Sequence, residues 1–433
     1  MIGFAGLSHL GLVTSAAAAA KGFDVLGFDP DAALCSGLNA GKLPIHEIGL
    51  QTLIEENRSR LKYSSSVSDL SACAVVYISC DVITDLENRS DTAPLTELTR
   101  TVVTHMSEGS TLVLLSQVNP GFTRNLAKTL SETLVQKRIA LHYQVETLIF
   151  GRAVERAMHP ERTMIGCADP AADIPPLLEK YLDSFNCPVI RMRYESAELA
   201  KIAINFFLVA SVTTTNTLAE LCEKMGADWS EIVPALRLDA RIGKHAYLTP
   251  GLGVSGRNLD RDLVTYLKLT ALNGVDDQLP RAFLNHSQHR KTWVLRTLHE
   301  HVLSRVKNPR IAIWGLAYKP NTASVKNSPT LELIAALRGV EIQLYDPQAR
   351  LEQPSAAVNE AASAIEATRG AHALVILTAW DEFKTIQPRQ ILPLLSDALR
   401  PPFVIDPAAA WKSSDAGRDG LHYITLGVAG DCV

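Results

Sequence analysis

The chain has 433 residues, 47% of them hydrophobic and 20% charged, with a net charge of −4. That is enough length for two or three domains with full cores, and there is no basic excess of the kind nucleic-acid binders show. The seven cysteines are widely spaced and form no CxxC pair, which predicts reduced thiols in a cytoplasmic protein and no structural zinc or other metal site. No apolar run reads as a membrane span. The alanine run at 16–20 stops at Lys21-Gly22, and residues 1–15 lack the positive start and cleavage site of a signal peptide. No internal repeat is evident.

In chain order, IGFA (2–5) reads as a strand, GLSHLG (6–11) as a glycine turn opening a small-residue helix, and FDVLGFD (23–29) as a second strand ending in Asp29. Strand, turn, helix, strand and acid together form a dinucleotide-binding unit. Gly6 permits the tight turn and Gly11 the close approach of helix to strand. The backbone around Ser8, His9 and Leu10 faces the pyrophosphate at the helix N-terminus. Asp29 suits the ribose hydroxyls and repels a 2′-phosphate, which favours NAD over NADP. Ser8 stands where the pattern has its middle glycine, with a hydroxyl able to donate to phosphate. His9 reads most simply as a loop histidine.

Further βα units follow: a strand at 72–79, a helix at 92–106 and a strand at 110–116 leading into SQVNPG, whose Pro120-Gly121 marks a turn. Gln117 and Asn119 stand at this strand's C-terminal edge, as turn caps or as ligand contacts. Residues 195–228 read as one long helix with Leu199, Ile202, Phe206, Val209, Leu218 and Leu221 at helical spacing and Gly226 as its cap. Lys201 and Asn205 share a face, and the helix alone favours a snorkelling surface lysine. GVSGRNLDRD (253–262) reads as a ligand-facing loop. After a helical region to about Ser304, strands near 311, 340–347, 372–380 and 401–407 make a second, smaller α/β domain. The whole is an α/β protein of two Rossmann-like domains joined by a long central helix and a helical dimerisation region, with boundaries at 1–194, 195–304 and 305–433.

These landmarks occur in the order found in the UDP-glucose/GDP-mannose 6-dehydrogenase family, which the chain resembles along nearly its whole length. The motifs are GLSHLG, PIHEIGL (44–50), SQVNPG, VETLIFGRA (145–153), HPERTMIG (159–166), AELAKIAINFFL (197–208), DARIG (239–243), GVSGRNLDRD, GLAYKPNT (315–322) and YDP. The resemblance implies NAD on the first domain, a GDP- or UDP-linked sugar on the second, and a homodimer. It implies oxidation of the sugar's C6 alcohol in two hydride transfers, through a thiohemiacetal on the cysteine of a GGSCFPKD-like loop.

By that resemblance Lys201, Asn205 and Asp262 surround the reacting carbinol, and Glu146 matches the first glutamate of a PEFLxEG motif. Leu148, Arg241, Gly253, Gly256, Tyr318 and Lys319 fall on sugar-nucleotide contacts, Arg241 reaching across the dimer. Gln117 and Lys326 fall on NAD contacts. The departures are specific. The cysteine position is Asn258, the second glutamate is Phe150, and a V-x-T-P strand end is absent at Val82-Ile83.

The groups that take an aldehyde to an acid are missing, and those that deprotonate an alcohol remain. This pattern implies a single two-electron oxidation. Lys201, with Asp262 and a water, takes the proton, and Asn205 and Asn258 steady the oxyanion. A secondary alcohol giving a ketone suits it, as in a family branch of lincosamide antibiotic pathways that handles a GDP-octose and that this chain resembles in lacking the thiol. Two other readings stay open: a redox-neutral epimerase or eliminase that keeps its NAD, and a non-catalytic nucleotide-sugar-binding protein.

Overall fold

The computed structural model describes residues 1–83, 85, 90–254, 257–326, 328–353, 357–411 and 419–429, the side chains of Arg257 and Asn258 excepted. The chain forms two compact units, Met1–Ile204 and Asn205–Val433, and the division falls inside one long helix, Tyr194–Met225.

The first unit is built on eight strands: β1 (Ile2–Ala5), β2 (Val25–Phe28), β3 (Leu61–Ser64), β4 (Val75–Ile78), β5 (Thr111–Leu114), β6 (Ala140–Gln144), β7 (Thr163–Cys167) and β8 (Val189–Arg193). They lie in the order β3-β2-β1-β4-β5-β6-β7-β8, and every pairing is parallel except β6 with β7. β1, β2, β4 and β5 are four-residue apolar runs buried on both faces. Such runs suit a parallel sheet covered by helices on each side. Strand order reverses between β1 and β4, which places a crevice at their carboxyl ends.

Helix His9–Ala20 packs across this sheet because its residues are small. Ala16, Ala17, Ala18 and Ala19 are all buried. A Cβ on Gly11 would lie 1.9 Å from the Gly6 carbonyl oxygen, so nothing but glycine brings helix and turn this close.

The second unit holds six strands, all parallel: β9 (Arg310–Trp314), β10 (Glu341–Tyr345), β11 (Val358–Glu360), β12 (Ala373–Ile376), β13 (Phe403–Ile405) and β14 (His422–Ile424). Their order is β11-β10-β9-β12-β13-β14. Its first turn copies that of the first sheet. IGFAGL and IAIWGL are both strand followed by Gly-Leu, and the second strands end in FDP and YDP. Asp29 Oδ2 accepts from the Leu7 N–H at 2.9 Å, and Asp346 Oδ2 accepts from the Leu316 N–H at 2.7 Å. A structural repeat is therefore present where the sequence reading saw none, because the shared feature is a backbone turn with few identical residues.

The long helix departs from two expectations. It contains an 18-residue window of mean hydropathy 1.4, long and apolar enough to cross a membrane, although one third of that window is buried in the protein. It also buries polar groups. Glu198 is fully buried, Lys201 nearly so, and Asn216 accepts from the Gly251 N–H at 2.7 Å. Lys201 is therefore not a snorkelling surface lysine. Farther along, Glu223 accepts from the Trp293 Nε1–H and from the Gly427 N–H, both at 2.9 Å, which ties the helix to the last strand's exit.

The Pro120-Gly121 turn is anchored by the same helix. Glu198 Oε2 accepts from the Gly121 N–H at 2.6 Å, and Oε1 accepts from the Thr123 N–H at 2.7 Å. This carboxylate caps the helix Phe122–Thr129, whose own N-terminal residue Gly121 offers no side chain. Glu198→Ala leaves two buried donors without partners. We expect it to lower unfolding stability by about 2–3 kcal/mol in chemical denaturation; an unchanged midpoint contradicts this role.

Candidate functional site

The crevice of the first sheet is lined by the turn between β1 and helix His9–Ala20. Gly6 has φ +93°, and a Cβ there would meet Cys80 at 2.7–2.9 Å, so the turn is bound to glycine by conformation and by space. Ser8 is the residue that precedes the helix, and its side chain makes no capping bond. The first-turn N–H groups of the helix are thus left to an anion. The Ser8 hydroxyl is instead engaged across the crevice, accepting from the Asp81 N–H at 2.8 Å. It braces the loop after β4.

Asp29 stands half-exposed at the end of β2, with Oδ1 also accepting from the Asp31 N–H at 3.0 Å. These residues fit a dinucleotide: a positive-φ glycine turn, an uncapped helix start and an accessible carboxylate one strand away. Leu10 is in the core, 4% exposed, so only its backbone can face a ligand. His9 is not a loop histidine. It is the first helical residue, and its Nε2 lies 2.9 Å from Glu47 Oε2. Gln117 lies half-buried just past β5 and takes part in an interaction there.

In the same unit Lys201 meets Glu146. Its Nζ lies 3.5 Å from Glu146 Oε2, both side chains being mostly buried. Glu146 Oε1 also accepts from the Leu148 N–H, which closes a tight turn in the loop after β6. This loop lines a small cavity with Gln144, Arg156, Arg162 and Thr163. Phe150, at the position where the resemblance puts a second glutamate, lies over the His9 ring with centroids 4.2 Å apart.

In the second unit Asn205 and Asp262 are both buried. Asn205 Nδ2 donates to Asp262 Oδ2 at 2.5 Å, and Arg261 Nε donates to Asp262 Oδ1 at 2.9 Å. Asp262 thereby orients the Asn205 amide, leaving the second amide hydrogen and the carbonyl oxygen for other partners. Arg261 was not singled out in the sequence; its only signal was a charge next to Asp262.

The stretch 253–262 is not wholly a loop. Arg257–Asn273 is a helix, so Asn258 stands in its first turn and Asp262 one turn later. The apolar spacing after Asn258 explains it: Leu263 packs with Val209, Val254 and Phe283. The Asn258 side chain and the whole of Gly256 lie outside the described residues. Gly253 has a packing reason to be glycine. Its φ is +88°, a Cβ would lie 2.6 Å from the Ser287 carbonyl oxygen, and the next N–H donates to Ser287 Oγ.

Arg241 lies exposed on a turn after helix Trp229–Leu238, with its guanidinium held by Asp239 at 2.6–3.0 Å. Lys319 folds over the Tyr318 ring, 5.5 Å from its centroid, at the carboxyl end of β9, and Lys326 is exposed in the same connection. The carboxylate of this crevice, Asp346, is saturated. Burial pushes its pKa up, but N–H groups of Ala317, Ala349, Gln348 and Leu316 bring it below the ordinary value. Trp380 Nε1 donates to it as well, at 3.1 Å. The two crevices thus share a turn but differ chemically: Asp29 keeps acceptor capacity for a ribose and Asp346 does not. Among the described residues, no cluster of three or more His, Cys, Asp or Glu side chains is placed to hold a metal.

Three family models match the chain. Residues 1–181 match the NAD binding domain of the UDP-glucose/GDP-mannose dehydrogenase family, 195–287 its central domain, and 312–413 its UDP binding domain. The chain is 28% identical to the UDP-glucose 6-dehydrogenase TuaD of Bacillus subtilis, over 98% of this chain and 92% of that protein. It is 30% identical to the putative UDP-glucose 6-dehydrogenase YtcA of the same organism, over 87% and 89%. Its fold is similar to that of a UDP-D-ManNAc dehydrogenase from Pyrococcus horikoshii, with 25% identity, full coverage of both chains and a TM-score of 0.82. With all three domains matched in order, the chain belongs to the UDP-glucose/GDP-mannose dehydrogenase family and is an NAD-dependent oxidoreductase.

Proposed function

We propose that this enzyme makes a single two-electron oxidation of a carbinol on a GDP- or UDP-linked sugar, most simply a secondary C6 alcohol going to a ketone. The observation that carries this reading is the pairing of what is kept with what is missing. The Lys201–Glu146 and Asn205–Asp262 pairs stand intact, while Asn258 and Phe150 occupy the two positions that acid formation needs. A ketone has no hydrogen left to give as a second hydride, so a thiol at position 258 has no work to do. The relatives' names support a nucleotide-sugar substrate, and GLAYKPNT with Lys319 supports its nucleotide half in the segment 305–433.

In this mechanism Lys201 takes the hydroxyl proton, and Glu146, 3.5 Å away, is the carboxylate next in line for it. Asn205, oriented by Asp262 and Arg261, and Asn258 in the first turn of its helix hydrogen-bond the developing oxyanion. Gly6, the free first-turn N–H groups of helix His9–Ala20 and Asp29 hold NAD, which accepts a hydride when bound. The segment 1–194 serves the dinucleotide and 195–304 serves assembly.

A second copy of the chain completes the site in this reading. Phe207, Leu221, Met225 and Leu238 are each more than half exposed on consecutive helices, apolar area that a partner chain would cover. Arg241 lies exposed just past them, where the resemblance has an arginine that crosses to the partner. All six described cysteines are free, which suits a reducing, cytoplasmic location.

Three outcomes are expected. Purified protein with NAD and an accepted nucleotide-sugar should form one NADH per sugar. Two NADH, or a uronic acid product, sinks the single-oxidation reading, and an isomerised sugar without net NADH favours a redox-neutral reaction. Lys201→Ala should lower kcat by about a hundredfold or more with little change in NAD affinity; unchanged turnover removes its assigned role. Light scattering at micromolar protein should give the mass of two chains, and a single-chain mass at every concentration contradicts the dimer.

A further inference from the structure

PIHEIGL (44–50) has no part in the mechanism above, yet it supplies one of the most buried carboxylates of the first unit. The Glu47 side chain is 1% exposed. Its Oε2 lies 2.9 Å from His9 Nε2 and accepts from the Gly151 N–H at 3.1 Å, while Oε1 accepts from the Ala153 N–H at 3.0 Å. Burial pushes this carboxyl up, and the hydrogen bonds from His9, Gly151 and Ala153 more than offset that, leaving it below its ordinary value. Phe150, one residue before Gly151, lies against the face of the same histidine.

His9 opens the helix whose first-turn N–H groups face the dinucleotide crevice, and Gly151 and Ala153 end the loop that begins with Glu146. The contacts therefore run without a break from the helix start through His9 and Glu47 to the loop, and along the loop to the Glu146–Lys201 pair. A carboxylate that did no more than cap the short helix Ala153–Met158 would not need the histidine or the ring packed against it.

We propose that His9, Glu47 and Phe150 form a clamp through which NAD occupancy at the first helix sets the position of loop 145–153, and so of Glu146 against Lys201. They are positioning residues. Phe150 then has a role of its own in this chain: it fills the place of a hydrolytic carboxylate with an apolar ring that fastens the loop to the cofactor-facing helix. The proposal rests on the reading above only for what Lys201 and Glu146 do in turnover.

Hydrogen–deuterium exchange on loop 145–153, with and without NAD, tests the clamp without any sugar substrate. NAD should slow exchange of the Gly151 and Ala153 amides in the native protein by about fivefold or more. In Phe150→Ala this NAD-dependent protection should largely vanish, and Phe150→Tyr should restore it. Phe150 is 55% exposed, so the alanine variant should fold with a near-native thermal midpoint. His9→Gln is the second variant. It keeps a donor for Glu47 but loses the ring, and it too should lose the protection. Where a substrate is turned over, both variants should lower kcat more than they raise its KM.

A loop indifferent to NAD in the native protein, or fully protected in Phe150→Ala, overturns the clamp and leaves the proposed reaction untouched. Protection that behaves as expected, with no nucleotide-sugar oxidised, overturns the reaction and upholds the clamp.

Discussion

Buried backbone N–H groups need acceptors, and in this protein four carboxylates supply them at the turns that matter. Glycine turns let chain segments approach closely, but they strand donors that no side chain of their own can satisfy. Asp29 takes the Leu7 N–H, Glu198 takes those of Gly121 and Thr123, Glu47 takes those of Gly151 and Ala153, and Asp346 takes those of Leu316 and Ala317. Each bond joins segments at least 22 residues apart, so each is also a tertiary link. The start of helix His9–Ala20 has no such side-chain cap from Ser8, which leaves its first turn open to an anion.

The chemistry follows from the same arrangement. Around the long helix, acidic groups are divided between two duties. Glu198 holds backbone, whereas Glu146 and Asp262 hold the side chains of Lys201 and Asn205. Asp262 is engaged on both oxygens, by an amide and by a guanidinium, which suits a fixed carboxylate that aims its neighbour. Phe150, at the far end of the loop that begins with Glu146, packs its ring against His9.

Much of the first unit was legible. The apolar runs at 2–5, 23–29, 72–79 and 110–116 are strands, because fully buried parallel strands need nothing more than a short apolar segment between turn residues. Gly6 and Gly11 stand where their spacing put them, since close packing leaves no other residue for those places, and Asp29 ends the second strand with its carboxylate on the Leu7 N–H. The long helix was found to within a few residues from its apolar period. Strands β3, β6, β7 and β8 escape the sequence reading, being mixed in polarity, and the helical region that reads as following residue 262 begins at Arg257, its first turns disguised by charge.

What the sequence determined by itself is the family's order of motifs, the α/β class and the NAD-type turn. These depend on residue type and spacing along the chain, which folding does not alter. Only the tertiary structure decided that Lys201 is buried against Glu146, that Ser8 braces the loop after β4, that His9 belongs to Glu47 and Phe150, and that Arg261 fixes Asp262. Those outcomes depend on which groups lose water together. Partners 38, 55 or 73 residues apart are set by how strands and helices stack, and a polar side chain takes its role from the partner that folding places beside it.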